Sequence, residues 1–168
     1  MKKLICFFAG ILLLCGCTPR FIEEGLYNDA KTMIINNKAE CIIIHYNKIA
    51  AVERGRGVSP LLKLHDSKKE LMKNSIIVDK VIGRAAAFIA ISGKASFVYG
   101  KIMSEDAKEL LAAHNIKTDC DLLVPKILNR KRDGLCPLED SVKDAKDSVT
   151  ALKQMRKRIA ELRSAQSR

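Results

Sequence analysis

Apolar residues in this chain follow three kinds of pattern. The first is an unbroken run over residues 4–14, after Lys2-Lys3 and before Cys15-Gly16-Cys17. At about 11 residues it is too short to cross a hydrocarbon core of ~30 Å as a helix. The second is helical spacing. Leu26, Ala30, Met33 and Ile34 recur on one face and predict a helix over about 24–37. The third is the short β-rich run. Residues 41–46 form one, Asn47-Lys48 supplies a polar turn, and residues 49–53 form another, so a hairpin is predicted.

Beyond the hairpin, strand and helix signals alternate. Ser59 suits an N-cap and Pro60 the first helical position, so a helix is expected from there to about Met72. Ile76-Ile77-Val78 reads as a short apolar strand, and Asp79 as the cap of a helix over 80–91. That helix is apolar nearly all round, which predicts a central, buried position. A strand over 95–102 follows. Ser104 then caps a helix over 105–114, with Glu105 and Asp106 well placed in its first turn. Residues 117–124 read as the last strand. This alternation predicts an α/β domain with parallel strands joined by crossovers, and the hairpin makes the sheet mixed.

After Pro125 comes a polar loop, residues 129–134. A long helix is then expected from Pro137 onward, with Leu138, Val142, Ala145, Val149, Leu152, Met155, Ile159 and Leu162 at steps of four and three. Roughly 27 residues would give about 40 Å. Its first half is expected to cover the sheet. Its second half exceeds the needs of the domain, and an exposed stripe along Val149, Leu152, Met155 and Ile159 could pair with another chain as an envelope scaffold.

Composition narrows the class. Trp is absent and aromatics are 5% of the chain, which argues against a base-stacking surface, and no nucleic-acid partner is expected. The net charge of +11 is concentrated partly in residues 150–168, where six cations face Glu161 alone. Such an end suits anionic lipid or simply a solvated helix face.

The first 17 residues resemble a bacterial lipoprotein signal, with a basic start, an apolar core and small residues before the cut. The resemblance implies cleavage after Gly16, a lipid on Cys17 and a tether over 17–23. The expected location is extracytoplasmic, on the cell membrane or the outer membrane. Cys41, Cys120 and Cys136 then remain. An odd number excludes a complete disulfide framework, and no Cys or His spacing suits zinc.

Three stretches carry a wider resemblance: Gly55-Arg56-Gly57-Val58-Ser59-Pro60-Leu61-Leu62, Asp79-Lys80-Val81-Ile82-Gly83-Arg84-Ala85-Ala86-Ala87, and Leu123 to Arg130 with Asp133-Gly134-Leu135-Cys136-Pro137-Leu138-Glu139. Over residues 24–145 the chain resembles the prokaryotic domain of unknown function 1893. The resemblance implies a cytidine-deaminase-like three-layer α/β fold on a mixed five-stranded sheet, with no established activity. Residues 146–168 read as a basic extension of the C-terminal helix. Zinc deaminases place H-x-E and P-C-x-x-C at two helix starts. Those starts would fall near Asp79-Lys80-Val81 and Ser104-Glu105, which hold no His or Cys. No metal or cofactor is therefore expected.

The same helix starts remain candidates, because crevices beyond the carboxyl ends of parallel strands favour ligands. Asp79, Lys80 and Glu105 could move protons, and Ser104 could bind a polar ligand; Asp79 and Ser104 also suit plain capping. Gly55, Arg56, Gly57 and Ser59 lie between strand and helix, as a structural turn or an anion cradle. Cys136, before a helix start, is a candidate nucleophile, though no His is placed as its base. Asn129 and Arg130, close before it, join the ligand-binding candidates. The expected function is a lipid-anchored, zinc-free domain that binds a small anionic ligand or a protein partner, the latter as a homo- or hetero-oligomer. The alternatives are a metal-free enzyme using Cys136 or the Asp79/Lys80/Glu105 group, and the scaffold. In the binding and enzyme readings Arg56, Asp79, Lys80, Ser104 and Cys136 converge on one pocket.

Overall fold

Tyr46 and Asn47 both adopt positive φ, 49° and 59°, and close a two-residue hairpin between β1 (Cys41–His45) and β2 (Lys48–Glu53). Positive φ at both turn residues matches the right-handed twist of the flanking strands. The turn therefore falls one residue earlier than the polar pair Asn47-Lys48 suggests. The pairing shifts register between Ile43 and Ile44, and this irregularity bends the edge.

The hairpin opens a domain described here by a computed structural model over residues 24–166. Helix α1 (Glu24–Ile35) precedes it. After it come α2 (Ser59–Ser67), a 3-10 turn (Lys69–Met72), β3 (Ile76–Ile82), α3 (Arg84–Ser92), β4 (Phe97–Ser104), α4 (Glu105–Ala113), β5 (Lys117–Val124), α5 (Pro137–Val142) and α6 (Ser148–Gln166). The five strands form one sheet in the order β2-β1-β3-β4-β5. Strand β1 runs antiparallel to both neighbours, whereas β3, β4 and β5 are parallel. This is the mixed five-stranded α/β sheet expected from the strand–helix alternation and the family resemblance.

Alternation along β1 separates two cores. Ile42 and Ile44 join Ala30 and Ile34 of α1, Val78 and Tyr99 on one face. Cys41 and Ile43 join the larger core on the other face, built from α2, α3, α4 and the C-terminal helices. Helix α3 is buried along its length, from Ala85 to Ala90. Its all-round apolarity has a direct cause: α5 and α6 pack against it, with Val142, Ala151, Leu152 and Met155 fully or nearly buried. Both its inner and its outer faces therefore require apolar residues.

Three local expectations are corrected. Strand β3 continues through Asp79 to Ile82, so Asp79 and Lys80 start no helix. Asp79 pairs in register with Cys41 on one side and Gly100 on the other. Ladder bonds to two neighbours outweigh a local capping preference. Helix α2 begins at Ser59 itself, Val58 occupies the N-cap without a side-chain bond, and the helix ends at Ser67 rather than near Met72.

The long C-terminal helix is two helices. Asp147 starts the second by accepting the Thr150 backbone N–H at 2.9 Å and its hydroxyl at 2.8 Å. The Arg84 guanidinium reaches the carbonyls of Val142 and Ala145 at 3.3 and 3.0 Å, satisfying acceptors freed at the break. Because Leu152 and Met155 are spent on α3, the predicted exposed stripe does not exist; of its members only Val149 is strongly exposed, at 78%.

Candidate functional site

Strands β3 and β4 end side by side, and each turns directly into a helix. Gly83 leads into α3 and Ser104 into α4, so two helix N-termini meet at the carboxyl ends of parallel strands. Ser104 is 1% exposed and its hydroxyl accepts the Ala107 N–H at 3.2 Å, as its capping role requires.

The chain after β5 returns across this edge. Leu128 and Leu135 form a bridge, and within it Asn129 donates twice to its own loop: its backbone N–H to the Gly134 carbonyl at 2.9 Å and its Nδ2 to the Asp133 carboxylate at 2.7 Å. The Cys136 N–H donates to Ile127 at 3.0 Å. This loop and α5 wall a cavity of about 350 Å³. Arg84, Lys126 and Lys143 contribute cations to its lining, Asp106 and Glu139 carboxylates, and Ser104, Ile127 and Leu135 the remainder.

Glu139 decides the electrostatics of one wall. Its carboxylate accepts the backbone N–H groups of Arg84 at 2.6 Å and Ala85 at 3.0 Å. The chain thus supplies its own anion to the positive end of α3. Gly83 is required there because a Cβ at this position would collide with that carboxylate. Burial pushes the Glu139 carboxyl above its ordinary range, and nearby Asp106 adds to the rise; the two backbone bonds and Arg84 oppose it.

Of the residues expected to converge, only Ser104 lines the cavity. Asp79 is buried within β3, with its Oδ1 accepting the Val81 N–H at 3.0 Å. Lys80 pairs with Glu40 at 3.2 Å. Continuation of β3 places both before the helix start rather than at it. Glu105 is exposed in the first turn of α4 and does not line the cavity. Gly55, Arg56 and Gly57 belong to the connection from the edge strand β2 to α2, Ser59 is the first residue of α2, and none of the four lines the cavity. Gly57, at φ 56°, needs its glycine for the turn. Cys136 is half-buried at the start of α5, beside the lining residues Leu135 and Glu139 but not among them. Asn129 shapes the loop, and Arg130 is exposed on it. Cys17 lies outside the described residues.

Arg84, Lys126, Glu139 and Lys143 were not among the expected site residues. A faint signal existed for three of them: Arg84, Lys126 and Glu139 stand in the stretches that carry the family resemblance. Nothing in the spacing of Arg84 and Glu139, more than fifty residues apart, predicts that one caps the other's helix.

A deaminase-type zinc ion does not fit this edge. The helix starts carry Arg84-Ala85 and Ser104-Glu105, and the internal carboxylate of Glu139 occupies the first. Among the described residues no group of three His, Cys, Asp or Glu side chains is arranged to hold a metal.

Comparison with known proteins agrees with the architecture. The solved structure of the DUF1893 family protein TM1506 from Thermotoga maritima superposes with a TM-score of 0.71 at 19% identity, over 84% of this chain and 92% of that one. At that identity the likeness establishes the fold alone. No curated protein matches the chain. The profile of the TM1506 family, domain of unknown function DUF1893, matches residues 29–159. That span covers most of the chain, which therefore belongs to the DUF1893 family.

Proposed function

We propose that this domain binds a small anionic metabolite in the cleft at the carboxyl ends of β3 and β4, and does so while held at a membrane through a lipid on Cys17. The observation that carries the reading is the convergence of Arg84, Lys126 and Lys143 on a cavity beside two helix N-termini. Glu139 already satisfies the first turn of α3, so the helix start left at this edge is that of α4, where the Ser104 hydroxyl takes the Ala107 N–H. Anions favour such a helix start. Lys143 is paired with Asp140 at 3.1 Å, whereas Lys126 pairs with no carboxylate among the described residues. A volume of about 350 Å³ stands at the small end of ligand sites, which suits a phosphorylated or carboxylated metabolite rather than a polymer.

The Cys17 anchor is supported by the opening sequence. Among the described residues no helix is long and apolar enough to cross a membrane. The test of the ligand reading is a thermal-shift screen of the purified chain against phosphorylated and carboxylated metabolites. A binding anion raises the melting temperature, and Lys126→Ala with Lys143→Ala removes the shift. If no anion shifts the wild type, or if the double variant responds equally, the ligand reading fails.

A further inference from the structure

The N-terminal end of α3 faces the cleft, but its last residue, Ser92, belongs to a separate cluster about 13 Å along the helix. His65, in the last turn of α2, places Nε2 at 2.9 Å from Ser92 Oγ. The other ring nitrogen, Nδ1, lies 3.2 Å from Asp66 Oδ1. Arg156 of α6 holds that same carboxylate oxygen at 2.6 Å. Lys69 Nζ donates to the Ser92 hydroxyl at 3.3 Å. His65 is only 7% exposed, so its ring is fixed between its partners, while Ser92 is half-buried and Lys69 exposed. The cluster thus opens to the surface at its hydroxyl end.

From these contacts we propose that Ser92 and His65, oriented by Asp66, form a second, nucleophilic site that hydrolyses small esters bearing a negative charge. It goes beyond the ligand reading of the cleft and shares no residue with it. Serine nucleophiles need a base within hydrogen-bond reach and a third group that orients the base. Both conditions are met here. Ser92 Oγ bonds to the ester carbonyl carbon as its proton passes to His65 Nε2. The bond from that carbon to the alcohol oxygen breaks, and the alcohol leaves with the proton. Water then adds to the acylated Ser92 through the same base, releasing the acid and restoring the hydroxyl.

The surrounding charges act in opposing directions. The carboxyl end of α3 disfavours negative charge developing at Ser92. The Lys69 ammonium offsets it. The first two N–H groups beyond Ser92, on Gly93 and Lys94, are already bonded to Ile89 and Ile91 carbonyls, so Lys69 rather than the main chain meets the oxyanion. Asp66 and the carboxyl end of α2 put negative charge beside the ring that takes up the proton. Exposed Lys68 and Lys94 flank the cluster in sequence and favour an anionic substrate.

The full chain is treated with a fluorophosphonate, which a nucleophilic serine converts to a phosphonyl ester with loss of fluoride, and the adduct is mapped by peptide mass spectrometry. Labelling at Ser92 is expected. His65→Gln should slow it by about 100-fold or more. Asp66→Asn should slow it with recovery in Asp66→Glu, a rescue that loss of a structural tie alone would not produce. Lys69→Met should slow hydrolysis of a nitrophenyl monoester of a dicarboxylic acid more than that of nitrophenyl acetate. Absence of a Ser92 adduct in the wild type overturns the proposal, as does equal labelling in His65→Gln. If His65→Gln does not fold, Lys69→Met decides, because its side chain is exposed; unchanged labelling and hydrolysis in that variant overturn the proposal.

Discussion

Arg84 and Glu139 clasp each other's helices. The Glu139 carboxylate caps the start of α3 through the Arg84 backbone N–H at 2.6 Å. In return the Arg84 side chain caps the end of α5 through the carbonyls of Val142 and Ala145. This exchange fastens the C-terminal helices to the central helix α3 and forms one wall of the cleft.

Removing the carboxylate should therefore loosen the whole C-terminal segment. Glu139→Ala leaves the Arg84 and Ala85 N–H groups without their acceptor. The expected loss is about 2–3 kcal/mol, from charge-assisted bonds and unsatisfied donors. Glu139→Gln should lose less, because its amide oxygen still accepts one bond. Urea unfolding of the three proteins measures the difference.

The neighbouring glycine predicts a non-additive pair. A Cβ on Gly83 meets the Glu139 carboxylate, so Gly83→Ala should cost roughly 1–3 kcal/mol through overpacking. In the Glu139→Ala background the obstacle is gone and the same change should cost much less. A double-mutant cycle reads the coupling, and simple additivity would show that the clash is not the cause.

Asp79 should make stability depend on pH. Burial raises its carboxyl to about 7, against the lowering effects of the Val81 N–H, Cys41 and the Lys80 N–H. The folded state therefore holds a proton that the unfolded chain releases at ordinary carboxylate pH. The stabilisation is fully present below about pH 4 and is lost as pH rises to about 7. Asp66 and Asp119 act in the opposite sense: despite burial, which raises both, Arg156 with His65 and Tyr27 with Lys31 hold them below the ordinary range. The difference between wild type and Asp79→Asn isolates the one group. That difference should favour the Asn variant increasingly from pH 4 to pH 7 in urea unfolding, and a flat difference would contradict the assignment.

The proposed anchor depends on one atom. Cys17→Ser should move the protein from the membrane fraction to the soluble fraction and abolish incorporation of labelled fatty acid. Unchanged membrane association would sink the lipid-anchor proposal and leave the cleft proposal intact.

Element existence was legible where the pattern was strong. The apolar face of α1, the hairpin, the Ser104 cap and β5 all stand close to their expected places. Expectation failed where a residue had two uses. Asp79 is a good cap by composition, yet hydrogen-bonded neighbours on both sides keep it in β3. Residues 137–162 keep a helical period across a break, because the period continues in both helices while Asp147 starts the second. The candidate site was less legible than the fold. Ser104 carries its own local signal, but Lys126, Glu139 and Lys143 become neighbours only when the chain after β5 folds back over the sheet edge. The relay of His65, Asp66 and Ser92 spans 27 residues and has no spacing rule to announce it.

By itself, then, the sequence determined the α/β class, the buried character of α3 and the mixed sheet, because periodicity and capping are properties of neighbouring residues. Only the tertiary structure decided where β3 ends, why α3 is apolar on its outer face, and which charges share a cavity. Those outcomes depend on contacts between distant segments, and hydrogen bonds to two flanking strands or a carboxylate from a later helix outweigh the smaller preferences that any short window encodes.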